Sequence, residues 1–211
     1  MSNIIGDVGG RFKELIRLIG KMPDDDIILV GDIIDVGNES NKVIEFARTN
    51  PNIRVIFGNH ESFFLDYIDK TQIYEKDLWI LKKGGKSTLD SYGYDSKGNP
   101  KIPKEHIDFI RSLSLYIETS NFLISHAPWS SLLTLEQACS NLNEENSIIW
   151  NRKEPILRNK FQIFGHLNQA NKFSNFAMCI DDTRNKKLIG INTETMEIFQ
   201  QPYFNSGRKY E

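Results

Sequence analysis

Three short apolar runs near the start of the chain, Asn3 to Ile5, Ile27 to Val30 and Ile53 to Phe57, each end in a glycine followed by a polar residue: Gly6-Asp7, Gly31-Asp32 and Gly58-Asn59. Runs this short and this rich in Ile and Val read as buried strands. Between the first two, Phe12, Leu15, Ile16 and Ile19 recur at helical spacing over Arg11 to Lys21, and Pro23 with the aspartates after it ends the helix. Between the second and third, Ser40 is placed to cap a helix whose apolar positions include Val43, Ile44, Phe46 and Ala47, closed by Asn50-Pro51. Strand, helix, strand, helix, strand predicts parallel pairing through right-handed crossovers. The carboxyl ends of such strands open into a crevice, so Asp7, Asp32 and Asn59-His60 are expected along one edge of the sheet.

Downstream the pattern changes. Thr71 to Glu118 carries aromatic helical segments around a loop-rich part, Gly84 to Pro103, and reads as a cap or insertion within a single domain spanning residues 1–211. Tyr116 to Ile124 reads as a strand ending in Ser125-His126, and Gln162 to Phe164 as another ending in Gly165-His166. Lys187 to Asn192 with Met196 to Gln200 resembles a closing antiparallel hairpin. The formal net charge of -2 supplies no basic field for a nucleic-acid backbone, and Lys86, Lys97, Lys101 and Lys104 read as a solvated face. Cys139 and Cys179 are neither clustered nor at zinc spacing and are expected to be reduced. Trp79 and Trp129 are expected as core or pocket wall rather than as an interface. No run approaches membrane-spanning length and the start carries no secretory pattern, so the cytoplasm is the expected compartment and no membrane partner is expected.

Asp7, Asp32, Asn59, His126 and His166 carry the chemistry. Taken singly, each has a plainer role: a helix N-terminus for Asp7 and Asp32, a turn for Asn59, a satisfied buried imidazole for His126. Jointly, successive strand ends deliver carboxylate, amide and imidazole groups, which are ligands for hard or borderline divalent cations. A two-metal phosphoesterase needs such a set, with one carboxylate bridging cations about 3.5–4 Å apart. Asp32 is the natural bridge; Asp7 completes one side, and Asn59, His126 and His166 the other.

In order along the chain, Gly6-Asp7-Val8-Gly9-Gly10, Gly31-Asp32-Ile33-Ile34-Asp35-Val36-Gly37, Gly58-Asn59-His60-Glu61, His126-Ala127 and Gly165-His166 resemble the motifs of the calcineurin-like metallophosphoesterases, specifically their bacterial and phage phosphoprotein phosphatase branch. Gly84 to Leu89, Ser91-Tyr92-Gly93, Ile102-Pro103 and Trp150-Asn151-Arg152 extend the resemblance over nearly the whole chain. It implies an α/β fold, a β-sandwich of mixed sheets flanked by helices in four α/β/β/α layers. It implies a phosphohydrolase in which a metal-bound water attacks phosphorus in line. His60 would be the general acid, Asp35 would orient it, and Arg152 would hold the substrate phosphate. Protein serine/threonine phosphatase activity is implied first, with a phosphorylated protein or a small phosphate ester as substrate. Phosphodiesterase, dinucleoside-polyphosphate hydrolase and a degenerate relative that binds metal or a partner are the alternatives.

Three positions depart from the motifs. Gly9 stands where the first has a metal-binding histidine, Val36 where the second has an arginine, and Phe57 where an arginine often precedes the third. The first metal is therefore expected to be held less firmly than the second, by oxygen donors that suit Mn or Mg better than Zn; Mn is the expected ion, with Mg, Ni, Fe or Zn as alternatives. Val36 and Phe57 are expected to make the site floor apolar, which would favour less charged esters and count against a highly charged nucleotide.

Overall fold

The computed structural model describes residues 2–71, 73–129, 132–173 and 175–204. From the N-terminus, β1 (Ser2–Ile5), α1 (Phe12–Ile19), β2 (Asp26–Leu29), α2 (Ser40–Thr49) and β3 (Ile53–Val55) alternate as the apolar periodicity predicts. β1 pairs with β2 and β2 with β3, both parallel. Four helices follow: α3 (Asn59–Asp69), α4 (Ile73–Lys82), α5 (Gly85–Tyr92) and α6 (Lys104–Arg111). The predicted single strand from Tyr116 to Ile124 is instead an antiparallel hairpin of β4 (Tyr116–Glu118) and β5 (Phe122–Ser125). Its turn is closed by Thr119, whose N–H donates to the Phe122 carbonyl and whose hydroxyl accepts from the Phe122 N–H.

After α7 (Leu135–Ser140) come β6 (Phe161–Phe164), β7 (Asn171–Phe173), β8 (Ala177–Cys179) and β9 (Asp181–Asp182), and then β10 (Lys187–Asn192) and β11 (Ile198–Pro202) as the closing hairpin. Among the described residues one sheet runs β11-β10-β1-β2-β3, with β9 also on β10, and the other runs β4-β5-β6-β8-β7. Both mix parallel and antiparallel pairs.

Alternation along each strand decides what each sheet face meets. Ile4, Ile28, Val30, Ile189 and Ile191 point one way and, with Ile124, Ile163, Met178 and Ile180, fill the space between the two sheets. Ile5, Leu29 and Leu188 point the other way, into a larger cluster with Leu15 and Leu18 of α1 and Val43 and Ile44 of α2. The result is two mixed sheets packed face to face with helices outside. Trp79 lies wholly in the core, and half-buried Trp129 donates its indole N–H to the Leu133 carbonyl. No helix among the described residues is long and apolar enough to cross a membrane.

Ser40 does not cap α2 with its side chain. It is the first residue of that helix, and its buried hydroxyl accepts from the Asp35 N–H at 3.1 Å and meets the Thr88 hydroxyl at 3.0 Å. The helix start is thereby tied to the loop after β2, not satisfied by its own cap. Because Ile28 is fully buried between the sheets, Ile28→Ala is expected to cost about 2–5 kcal/mol of unfolding free energy, read from the shift in the urea midpoint.

Candidate metal centre

The loops after β2 and β3 are joined by one carboxylate. Glu61, buried in the first turn of α3, accepts from the N–H groups of Asp32 (2.8 Å), Ile33 (3.0 Å) and Gly58 (2.9 Å). A Cβ at Gly58 would collide with the Asp32 carboxylate, so only glycine lets the two loops approach this closely. Asp32 in turn accepts the His60 N–H at 3.0 Å at the start of α3, where the helix end favours negative charge. Burial, and next the Asp32 charge, push the Glu61 carboxyl up to about 8, against the three N–H groups that favour its ionised form.

Four of the predicted ligands meet at one point. The Nε2 atom of His126 lies 2.9 Å from Asn59 Oδ1, 3.2 Å from His166 Nδ1 and 3.4 Å from Asp32 Oδ1. The other ring nitrogen of His126 is 2.9 Å from the Val30 carbonyl. A carbonyl only accepts, so that nitrogen carries the proton and Nε2 presents a lone pair. Desolvation by burial lowers the pKa of His126, and burial with the His126 neighbour lowers that of His166 further, so both rings are held neutral. Acceptor atoms therefore converge with no proton between several of them, an arrangement that a cation satisfies. Metal–donor bonds of about 2.0–2.2 Å set neighbouring donors about 2.8–3.6 Å apart, which matches the observed spacing. The donor set fits a divalent ion.

Asp7 stands beside this cage and accepts the His166 N–H at 3.1 Å. Gly165 makes that approach possible, because a Cβ there would overlap the Asp7 carboxylate. Burial first, then the charges of Asp181 and Asp32, drive the Asp7 carboxyl well above the usual carboxylate range. Non-glycine residues with positive φ also gather here: Asp32 (46°), Asp35 (72°), Val36 (43°), His166 (67°) and Asn168 (60°). Such backbones cost roughly 1–3 kcal/mol each and persist where surrounding contacts over-determine them.

His60 adjoins the cage without belonging to it. One ring nitrogen is hydrogen-bonded to Asp35, and the other faces Asp32 at 3.7 Å. Burial alone would lower its pKa, but the Asp32 charge and the Asp35 bond and charge raise it to about 9. Asp35 is fully buried and receives the Trp79 indole N–H at 2.7 Å and the Thr88 hydroxyl at 2.6 Å, so α4 and α5 fix its position. Neither donor was visible in the sequence; both reach Asp35 only through the packing of these helices.

Arg152 is placed differently. Its guanidinium donates to the His166 carbonyl at 3.0 Å, and it lines a neighbouring cavity with Trp150 and Asn151. The cavity over Asp7, Asp32 and His60 is lined by Gly9, Arg11, Ile34, Val36, Asn168, Thr183 and Tyr203. Phe57 is absent from it: the strand turns that side chain into the helix-covered core. Only Val36 thus contributes an apolar substitution to the pocket. Arg11, Asn168 and Tyr203 escaped sequence reasoning; Arg11 follows the Gly9-Gly10 turn directly, and Tyr203 arrives from the far end of the chain. The expected uncharged pocket is corrected by Arg11.

A family model for calcineurin-like phosphoesterases matches residues 3–170. A symmetrical bis(5'-nucleosyl)-tetraphosphatase of Vibrio campbellii (strain ATCC BAA-1116) is 24% identical over 159 residues, 73% of this chain and 54% of that protein. One from Hamiltonella defensa subsp. Acyrthosiphon pisum (strain 5AT) is 41% identical over 71 residues, 31% of this chain and 26% of that protein. The chain thus spans about half, or less, of the length of these relatives. Among solved structures, a candidate diadenosine tetraphosphatase aligns at a TM-score of 0.69 and 17% identity, covering 97% of this chain and 94% of the other. A cold-active protein-tyrosine phosphatase of a Shewanella species aligns at 0.59 and 20% identity, covering 91% and 75%. At these identities the structural likeness is one of fold.

Glu61→Gln sets an amide N–H₂ against N–H groups now held by carboxylate oxygens. It is expected to destabilise the protein by about 2–4 kcal/mol and to weaken divalent-metal binding, checked by thermal unfolding and metal titration on the same preparation.

Proposed function

The chain belongs to the calcineurin-like phosphoesterase family, and from that premise we propose that it is a metal-dependent phosphohydrolase acting on the phosphoanhydride chain of a dinucleoside polyphosphate. The observation that carries the reaction class is the convergence of Asp32, Asn59, His126 and His166 donor atoms beside the His60–Asp35 pair. The relatives named as symmetrical bis(5'-nucleosyl)-tetraphosphatases support the substrate class over a phosphoprotein.

In this reading Asn59, His126 and His166 with Asp32 would hold one divalent cation, and Asp7 with Asp32 would hold a second. Bound divalent cations, manganese foremost, would supply the Lewis acidity that acidifies water and neutralises phosphoryl charge. The chain's own residues do the rest. Asp35, fixed by Trp79 and Thr88, sets the ring orientation of His60 and stabilises its protonated form. His60 then delivers a proton to the oxygen that leaves phosphorus as the new P–O bond to water forms. Arg152 steadies the loop carrying His166 through that residue's carbonyl and offers its remaining donors to phosphate.

General acid catalysis contributes about 10²–10⁴-fold, most where the leaving oxygen is a poor leaving group. A phosphate leaving from an anhydride needs that proton less than a serine alkoxide does. His60→Ala is therefore expected to retain far more of its turnover on diadenosine tetraphosphate than on a phosphoserine peptide, while Asp32→Asn abolishes both. The assay strips the protein with chelator and restores Mn, Mg, Ni or Zn in turn. Faster turnover of the phosphopeptide than of the tetraphosphate by the unaltered protein would reinstate the protein phosphatase reading. No turnover of either with any metal would leave a metal-binding relative.

A further inference from the structure

We propose that Arg11, stacked on Tyr203, is the anion clamp of this cavity and supplies the phosphate-binding charge that Val36 does not. This deepens the phosphohydrolase reading and rests on it for the nature of the anion, a group of phosphoryl oxygens.

Among the described residues, Arg11 is the one arginine or lysine lining the cavity above Asp7, Asp32 and His60. Its guanidinium carbon lies 3.9 Å from the centre of the Tyr203 ring. Stacking engages the face of the guanidinium and leaves its in-plane N–H donors available. Among the described residues those donors make no ion pair and no hydrogen bond, although two carboxylates share the cavity. A half-buried guanidinium that is held by an aromatic face and kept off neighbouring carboxylates is set for an incoming anion.

A plainer role would be to pin the chain end to α1. That job has other holders. The Phe204 N–H donates to Glu14 of α1 at 3.1 Å and Arg17 of α1 stacks on Phe204 at 4.2 Å, while the Tyr203 N–H is held separately by the Lys186 carbonyl at 2.8 Å. Arg11 itself is placed by its own backbone, whose N–H donates to the Val8 carbonyl just beyond Asp7. Val36 is 55% exposed and lines the same cavity with an apolar side chain. Gly9 adds no side chain, and a Cβ there would meet nothing nearer than 3.9 Å. An apolar side chain at Val36 and a cationic one at Arg11 therefore line one space.

The test is calorimetric titration of inorganic phosphate into the manganese-loaded protein, alongside manganese affinity and melting temperature. Arg11→Gln is expected to weaken phosphate binding by about 10- to 100-fold, the loss of one or two charge-assisted hydrogen bonds, with manganese affinity and melting temperature unchanged. Arg11→Lys should recover part of the affinity, because a point charge lacks the planar fork. Adding Val36→Arg to Arg11→Gln should recover most of it. Phosphate affinity unaltered in Arg11→Gln, a loss that follows a lowered melting temperature and is not recovered by Val36→Arg, or no phosphate binding by the unaltered loaded protein would each overturn the clamp. Arg11-dependent phosphate binding without cleavage of diadenosine tetraphosphate would remove the substrate reading and leave the clamp standing.

Discussion

Three backbone N–H groups from two different loops end on the buried carboxylate of Glu61. An uncompensated buried carboxylate is costly, and so are three orphaned buried N–H groups, so each side of this contact holds the other in place. Glu61 sits in the first turn of α3, two residues beyond Asn59, so the helix that it fixes also carries Asn59 and His60 to their positions. Asp32 reaches its left-handed backbone conformation in the loop that Glu61 grips. The spacing of the donor atoms around His126 thus follows from a contact made to backbone N–H groups and not to the donor atoms themselves.

That arrangement costs energy wherever no cation is bound. His126 has its proton fixed on the Val30 side and turns a lone pair toward Asn59 and His166, while the charges of Asp181 and Asp32 crowd Asp7. Part of the affinity for a divalent ion is the relief of this repulsion, which the folded chain holds in place through close packing and strained backbone. Ligand affinity that exists only in the folded state raises stability by mass action, so metal content and melting temperature are coupled in this protein.

How far the sequence disclosed this depends on the range of each interaction. The β1-α1-β2-α2-β3 alternation was legible because strand and helix periods are local, and the strand ends that bear Asp7, Asp32, Asn59, His126 and His166 were legible with it. The pairing of His60 with Asp35 rested on motif resemblance alone. Trp79 and Thr88 lie 44 and 53 residues from Asp35 in sequence, and no local pattern announces such contacts. Phe57 misled for a different reason. Successive strand residues point to opposite faces, so being next to the motif does not mean facing the pocket. The β4–β5 hairpin was read as one strand because Ile117 and Phe122 to Ile124 look continuous, and the turn made by Thr119 overrides that run.

The departures at Gly9 and Val36 also bear differently on function once the contacts are known. His60 is positioned by Asp35, and Asp35 by Trp79 and Thr88, so the orientation of the His60 ring hangs on α4 and α5. Gly9 belongs to the loop after β1, which meets the loop after β2 through backbone hydrogen bonds, Gly9 N–H to the Asp32 carbonyl at 2.8 Å and Gly37 N–H to the Gly9 carbonyl at 2.7 Å. Those bonds need no side chain at position 9. In the proposed arrangement the absence of an imidazole there would leave one cation a donor short without loosening the loop or the His60–Asp35 contact. A chain that had given up catalysis would have little to keep a fully buried carboxylate oriented on an imidazole at the edge of the cage, since a buried charge of that kind is retained at a cost. The Trp79, Thr88, Asp35 and His60 hydrogen bonds fit the proposed turnover, and the missing imidazole at position 9 leaves them in place.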